Sequence, residues 1–114
     1  MKYKLKVIVL ENCPYSIAAV ELLNNYNIKF NKKLVKQNNK EQFKNSNIST
    51  FPQIYIINDK KEILLGGYSD LEEIINIINS SKDLDIIKEK LDNKYPNHKN
   101  IHKNILRIIE IFVS

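Results

Sequence analysis

Apolar and polar positions follow two alternating periods along this chain, and the switches between them mark out its elements. Residues 4–10 (Lys4-Leu5-Lys6-Val7-Ile8-Val9-Leu10) are short and rich in β-branched side chains, which predicts a buried strand. From Pro14 to about residue 25, Ile17, Ala18, Val20, Leu22 and Leu23 recur at helical spacing, and Asn24-Asn25 closes the helix. Ile28 and Phe30 alternate with Lys29 and Asn31, then Leu34 and Val35 follow, so a second strand parallel to the first is expected over 28–35. A short helix around Phe43 is expected over 40–46. Residues 53–57 (Gln-Ile-Tyr-Ile-Ile) carry the strongest strand pattern, and the polar turn Asn58-Asp59-Lys60-Lys61 leads back into an antiparallel partner over 62–65. Gly66-Gly67 breaks that strand, and residues 70–80 place Leu71, Ile74, Ile75 and Ile78 on one helical face. The order βαβαββα predicts an α/β layer fold, a βαβ unit followed by a hairpin.

Two more helices follow Ser80-Ser81. Residues 83–93 align Leu84, Ile87 and Leu91, the break Tyr95-Pro96-Asn97 intervenes, and residues 101–113 line up Ile101, Ile105, Ile108, Ile109 and Phe112. The expected organisation is a core over 1–80 and a helical extension over 81–114 packed on the same domain. Fully burying side chains of this kind is worth about 1.5–3 kcal/mol each, so the stripe needs a surface. Folding back is favoured over pairing with a second copy because the break is short, and a monomer is expected.

At 114 residues the chain can build one core without staples. A formal net charge of +5 would suit an anionic partner. The lysines are spread along the chain with no dense basic element, and nucleic acid is not an expected partner. The basic start is followed by an apolar run too short for a signal peptide, and no stretch approaches a membrane span. One cysteine excludes an internal disulfide and a Cys-rich zinc site, and suits a reducing compartment. A cytoplasmic protein that binds no membrane is expected. His98 and His102 have i, i+4 spacing but no third ligand nearby, so no metal site is expected.

The chemistry concentrates in three short segments. Cys13-Pro14-Tyr15-Ser16 lies where the first strand gives way to the first helix. Proline is pre-set for the first helical position, which leaves Cys13 at the positive end of the helix dipole among unsatisfied N–H groups. That setting favours the nucleophilic thiolate. Ser16 stands where a redox dithiol would carry its second cysteine, so this site can attack a disulfide but cannot close one within itself. Thr50-Phe51-Pro52-Gln53 sets a proline immediately before the best strand, which places it at a strand start or in a cis turn. Gly66-Gly67-Tyr68-Ser69-Asp70-Leu71 combines glycines that allow close backbone approach with Ser69-Asp70 as a helix cap, so that N–H groups and a carboxylate stand together.

These three motifs, in this order on this layout, resemble the glutaredoxins, the glutathione-dependent branch of the thioredoxin-like fold, over about residues 5–78. The resemblance implies an α/β thioredoxin-like fold: a four-stranded mixed sheet flanked by helices, here with a C-terminal helical extension. It implies Cys13 as nucleophile and Tyr15 against the glycyl end of glutathione. Thr50 belongs to the motif whose Phe51 and cis Pro52 would pair with the cysteinyl unit through their backbone. Ser69 and Asp70 would hold the γ-glutamyl group, and by counting Asn39, with Lys40 beside it, would meet the glycyl carboxylate. Ser16 would support a monothiol route, its hydroxyl donating to the thiolate. Glutathione is then co-substrate, and glutathionylated or disulfide-containing proteins are partners.

Two departures stand out, one being Ser16 in place of the family's resolving cysteine. The family commonly carries Lys or Arg three residues before the nucleophile, where this chain has Leu10 followed by Glu11. Losing a cation and gaining a carboxylate both weigh against the thiolate. Two other readings compete with the enzyme. One is a carrier that bridges a [2Fe–2S] cluster between two chains through glutathione, disfavoured by Pro14-Tyr15; the other is a catalytically weak thioredoxin-like interaction module.

Overall fold

The computed structural model describes residues 3–95 and 101–113, the last helix with side chains from Arg107 onward. Among the described residues, β1 (Lys4–Leu10), β2 (Asn31–Val35), β3 (Gln53–Ile57) and β4 (Glu62–Gly66) form one sheet in the order β2-β1-β3-β4. β1 runs parallel to β2 and antiparallel to β3, and β3 runs antiparallel to β4. Helices α1 (Pro14–Asn25), α2 (Tyr68–Asn79), α3 (Leu84–Lys94) and α4 (Ile101–Val113) complete the chain with a 3-10 helix at Gln37–Phe43. This is the mixed-sheet α/β architecture of the thioredoxin-like class. The chain falls into two compact units, Met1–Leu71 and Glu72–Ser114.

In the first unit the period-2 pattern buries both faces of the central strands. Leu5, Val7, Val9, Ile54 and Ile56 are buried on one face, while Ile8, Val35, Phe51 and Tyr55 cluster on the other. α1 packs on β1 and buries Ala19 and Leu23.

The second strand is shorter than the alternation predicts, because Ile28 belongs to the end of α1. Asn27 is left-handed at φ 56°, its N–H bonds Asn24 O at 3.1 Å, and the Ile28 N–H bonds Leu23 O at 3.0 Å. This is a Schellman cap with asparagine in the glycine position and a buried apolar residue after it. The helix expected over 40–46 lies earlier, as the 3-10 helix Gln37–Phe43. Asn45 takes over the following residues, since its Oδ1 accepts the N–H groups of Asn47 at 2.8 Å and Ile48 at 3.1 Å and turns the chain away from helix.

In the second unit, Asp83 caps α3 by accepting the Asp85 N–H at 2.9 Å. Lys94 at its other end reaches Glu73 Oε2 at 2.6 Å and lies over the Tyr95 ring at 5.3 Å. α3 packs on α4, with Ile87, Leu91, Ile108 and Phe112 buried. The stripe expected on α4 therefore has Ile108 and Phe112 inside; the side chains of Ile101, His102 and Ile105, together with Pro96, Asn97 and His98, lie outside the described residues. No helix among the described residues is long and apolar enough to cross a membrane.

Leu91 has no exposed surface. Its replacement by alanine is expected to cost about 2–5 kcal/mol, read as a lower midpoint in denaturant unfolding. A loss under about 1 kcal/mol would mean that this helix pair is not tightly packed.

Candidate active site

The register of the sheet brings the three motifs to one edge. Parallel pairing sends the ends of β1 and β2 the same way, with Leu10 opposite Val35. β3 is antiparallel to β1, with Gln53 opposite Ile8, so β3 begins where β1 ends. β4 returns to that edge with Gly66 opposite Ile54, after a bulge that adds one residue. The turns leading to Cys13, Pro52 and Gly67 are thus neighbours because of strand pairing alone.

Cys13 is the N-cap residue of α1, with extended backbone (φ −103°, ψ 116°), and Pro14 opens the helix. The Ile17 N–H bonds Cys13 O at 3.0 Å, the first bond of the helix. The thiol is half-buried against the Ile8–Val35–Phe51–Tyr55 cluster, and its Sγ lies 3.9 Å from Phe51 O. The Phe51–Pro52 peptide bond is cis. Thr50 is exposed, whereas Phe51 and Pro52 are buried.

Ser16 has a structural bond besides the hydroxyl donation expected of it. It is buried, and its Oγ accepts the Leu10 N–H at 3.0 Å, tying the first turn of α1 to the end of β1. Leu10 packs against the same cluster as Cys13. The Glu11 carboxylate accepts the Gln37 N–H at 3.3 Å, and the Gln37 amide donates to Glu11 O at 2.7 Å. This reciprocal clasp fixes the start of the 3-10 helix beside the Cys13 turn. Asn39 is exposed and Lys40 half-buried on that helix.

The glycine turn differs from the expected cap by two residues. α2 begins at Tyr68, the Leu71 N–H bonds Gly67 O at 3.1 Å, and Asp70 Oδ2 accepts the Gly67 N–H at 2.9 Å. Gly67 is therefore the N-cap, and Asp70 is the acidic residue of a capping box that reaches back to it. Ser69 is exposed in the first turn. Gly66 has φ 131°, and a Cβ there would overlap the Asp70 carboxylate, so this carboxylate fits only beside glycine. A Cβ on Gly67 would come to 3.6 Å from Pro52 O, so the turn runs beside the Pro52 backbone. The Tyr15 and Tyr68 rings meet with centroids 6.0 Å apart. Cys13, Tyr15, Phe51, Pro52, Ser69 and Asp70 thus share one edge.

A buried polar link escaped the sequence reading. Gln53 Nε2 donates to Phe43 O at 2.7 Å, and Tyr55 Oη donates to Gln53 Oε1 at 3.0 Å. It anchors the end of the 3-10 helix to the residue after Pro52. Burial pushes the Tyr55 phenol up from its ordinary value and keeps it a donor. The one available signal was a glutamine opening an otherwise apolar strand.

A four-stranded mixed sheet with a cysteine at the strand-to-helix turn and a cis-proline turn beside it defines a thioredoxin-like thiol protein. The family model for glutaredoxin matches residues 3–61, and the chain belongs to the glutaredoxin family. Among solved structures, the crystal structure of glutaredoxin 1 from Francisella tularensis in complex with cacodylate matches with a TM-score of 0.55 and 26% identity. The match covers 99% of that chain and 69% of this one, so part of the present chain has no counterpart there. A search of the curated proteins found no match. Family and fold give a function of the thiol–disulfide oxidoreductase type.

Gly66→Ala is expected to cost about 1–3 kcal/mol, since it strains the backbone and displaces Asp70. Thermal unfolding together with the amide shift of Gly67 would read both effects. An unchanged Gly67 environment would show that the carboxylate is not held as described.

Proposed function

We propose that this protein is a glutathione-dependent thiol–disulfide oxidoreductase that removes glutathione from mixed disulfides by a monothiol route. The observation that carries the reading is the position of Cys13 Sγ: at the start of α1, half-buried, and beside the carbonyl of Phe51. An anion is stabilised at a helix N-terminus, and the thiolate is the attacking species.

Cys13 thiolate attacks the glutathione sulfur of a glutathione–protein disulfide. The S–S bond breaks, the electron pair leaves with the protein sulfur, and a Cys13–glutathione disulfide forms. A second glutathione thiolate attacks the glutathione sulfur of that intermediate, releasing glutathione disulfide and restoring the Cys13 thiolate. One enzyme cysteine suffices, and Ser16 has no sulfur with which to intercept the intermediate. In this reading the Phe51 backbone, whose N–H no described hydrogen bond occupies, pairs with the cysteinyl unit of glutathione beside Pro52 and Thr50. Ser69 and Asp70 receive the γ-glutamyl group, and Tyr15, Asn39 and Lys40 border the glycyl end. Holding the tripeptide fixes the direction of sulfur attack, which is catalysis by orientation.

Glutathione-coupled reduction of a glutathionylated peptide tests the proposal. Cys13→Ser is expected to abolish turnover while leaving the fold intact by circular dichroism, because the chain holds no other thiol. Substantial turnover in Cys13→Ser, or none in the wild type, would refute it.

A further inference from the structure

Contrary to the expectation of evenly spread lysines, the positive charge of this chain is concentrated in one segment. Between residues 29 and 44 stand Lys29, Lys32, Lys33, Lys36, Lys40 and Lys44, with Glu41 as the single acid. The rest of the chain is balanced, twelve basic residues against twelve acidic, so this segment accounts for the entire net charge of +5. Six of the eighteen basic residues fall in these sixteen positions, with one acid among them.

The fold puts that segment on the sheet edge that leads to Cys13. Among the described residues β2 pairs with β1 alone, which leaves one side of its backbone open. Asn31, Lys32, Lys33 and Leu34 are exposed, Leu34 at 59%, as are Lys29 and Lys36 on either side. At about 3.3 Å per residue, the strand runs roughly 13 Å from Asn31 to Val35. Val35 belongs to the cluster against which Cys13 packs, and its carbonyl accepts the Glu11 N–H at 2.9 Å. Lys33 lies on that same face, its Nζ 5.7 Å from the centre of the Phe43 ring.

We infer that the β2 edge is a docking strip for an extended, acidic segment of the protein whose disulfide Cys13 attacks. An open strand edge supplies N–H and C=O groups in the spacing of another strand, and Leu34 supplies an apolar contact. The lysines select among strands: they repel a second copy of this basic edge and attract a partner strand rich in Asp and Glu. Backbone pairing favours a polypeptide over a nucleic acid, which has no use for an open ladder. This inference rests on the proposed function and adds to it the class of protein substrate.

The test uses two glutathionylated peptides of equal length, one with glutamates around the cysteine and one with lysines. The wild type is expected to turn over the acidic peptide roughly tenfold or more faster in kcat/KM. That preference should vanish between about 0.01 M and about 1 M salt, as the screening length falls from about 30 Å to about 3 Å. It should also vanish in a Lys29→Gln, Lys32→Gln, Lys36→Gln variant whose rate on the glutathione–cysteine disulfide is unchanged. Equal rates for the two peptides, or a preference that survives the substitutions, would overturn the inference. A thiol-free acidic peptide, followed by fluorescence anisotropy, separates the two claims. Salt-sensitive binding without turnover would retract the proposed chemistry and keep the strip; turnover without binding preference would do the reverse. A single-stranded oligonucleotide that binds more tightly than the acidic peptide and competes with it would reassign the edge to nucleic acid and overturn the inference.

Discussion

Backbone passing close to backbone at Phe51 and Pro52 is the constraint on which the functional edge depends. The Phe51 carbonyl meets the Cys13 sulfur, and the Gly67 turn runs beside the Pro52 carbonyl. Strand register creates the approach: β1 ends, β3 begins and β4 ends at the same edge. Gly66 leaves the space that the Asp70 carboxylate fills. Shifting any one strand by a single residue would turn its side chains to the opposite face and dissolve the meeting.

Around that approach the protein fixes its walls with polar links. The 3-10 helix Gln37–Phe43 has little apolar surface to hold it, and buries none of its residues fully. It is tied at its start by Glu11 and Gln37 and at its end by Gln53 and Phe43. Both ties attach next to a site motif, two residues before Cys13 and one after Pro52. A hydrogen bond of this kind contributes only about 0.5–1.5 kcal/mol net, but a buried glutamine left without its partners would cost about 1–3 kcal/mol. That asymmetry makes the Gln53 link a strong constraint on the loop's position. Glu11, which by charge alone weighs against a thiolate, has its carboxylate engaged by the Gln37 backbone N–H.

The main elements and the three site motifs were legible in the sequence because local chemistry fixed them. Pro14 starts α1 wherever the chain goes, and the apolar run of β3 admits no helix. The misplacements came from residues whose role is set by partners far along the chain or by backbone geometry. Ile28 reads as part of a strand until Asn27 turns left-handed and draws it into the cap of α1. Ser69-Asp70 reads as a cap until Gly67 takes that position and Asp70 reaches back to it. The bond from the Leu10 N–H to the Ser16 hydroxyl oxygen, six residues apart, was not legible either. The Glu11–Gln37 clasp spans 26 residues and leaves no periodic trace. The charge imbalance of β2 was in the sequence throughout, but its meaning needed the knowledge that β2 is an edge.

The central claim is that the three turns at this edge form one glutathione site around Cys13. Backbone amide NMR of the protein before and after formation of the Cys13–glutathione disulfide tests it most directly. The account predicts shifts concentrated at Tyr15, Phe51, Ser69 and Asp70, with smaller ones at Asn39 and Lys40. Shifts confined to the neighbours of Cys13, with Phe51, Ser69 and Asp70 unmoved, would contradict it.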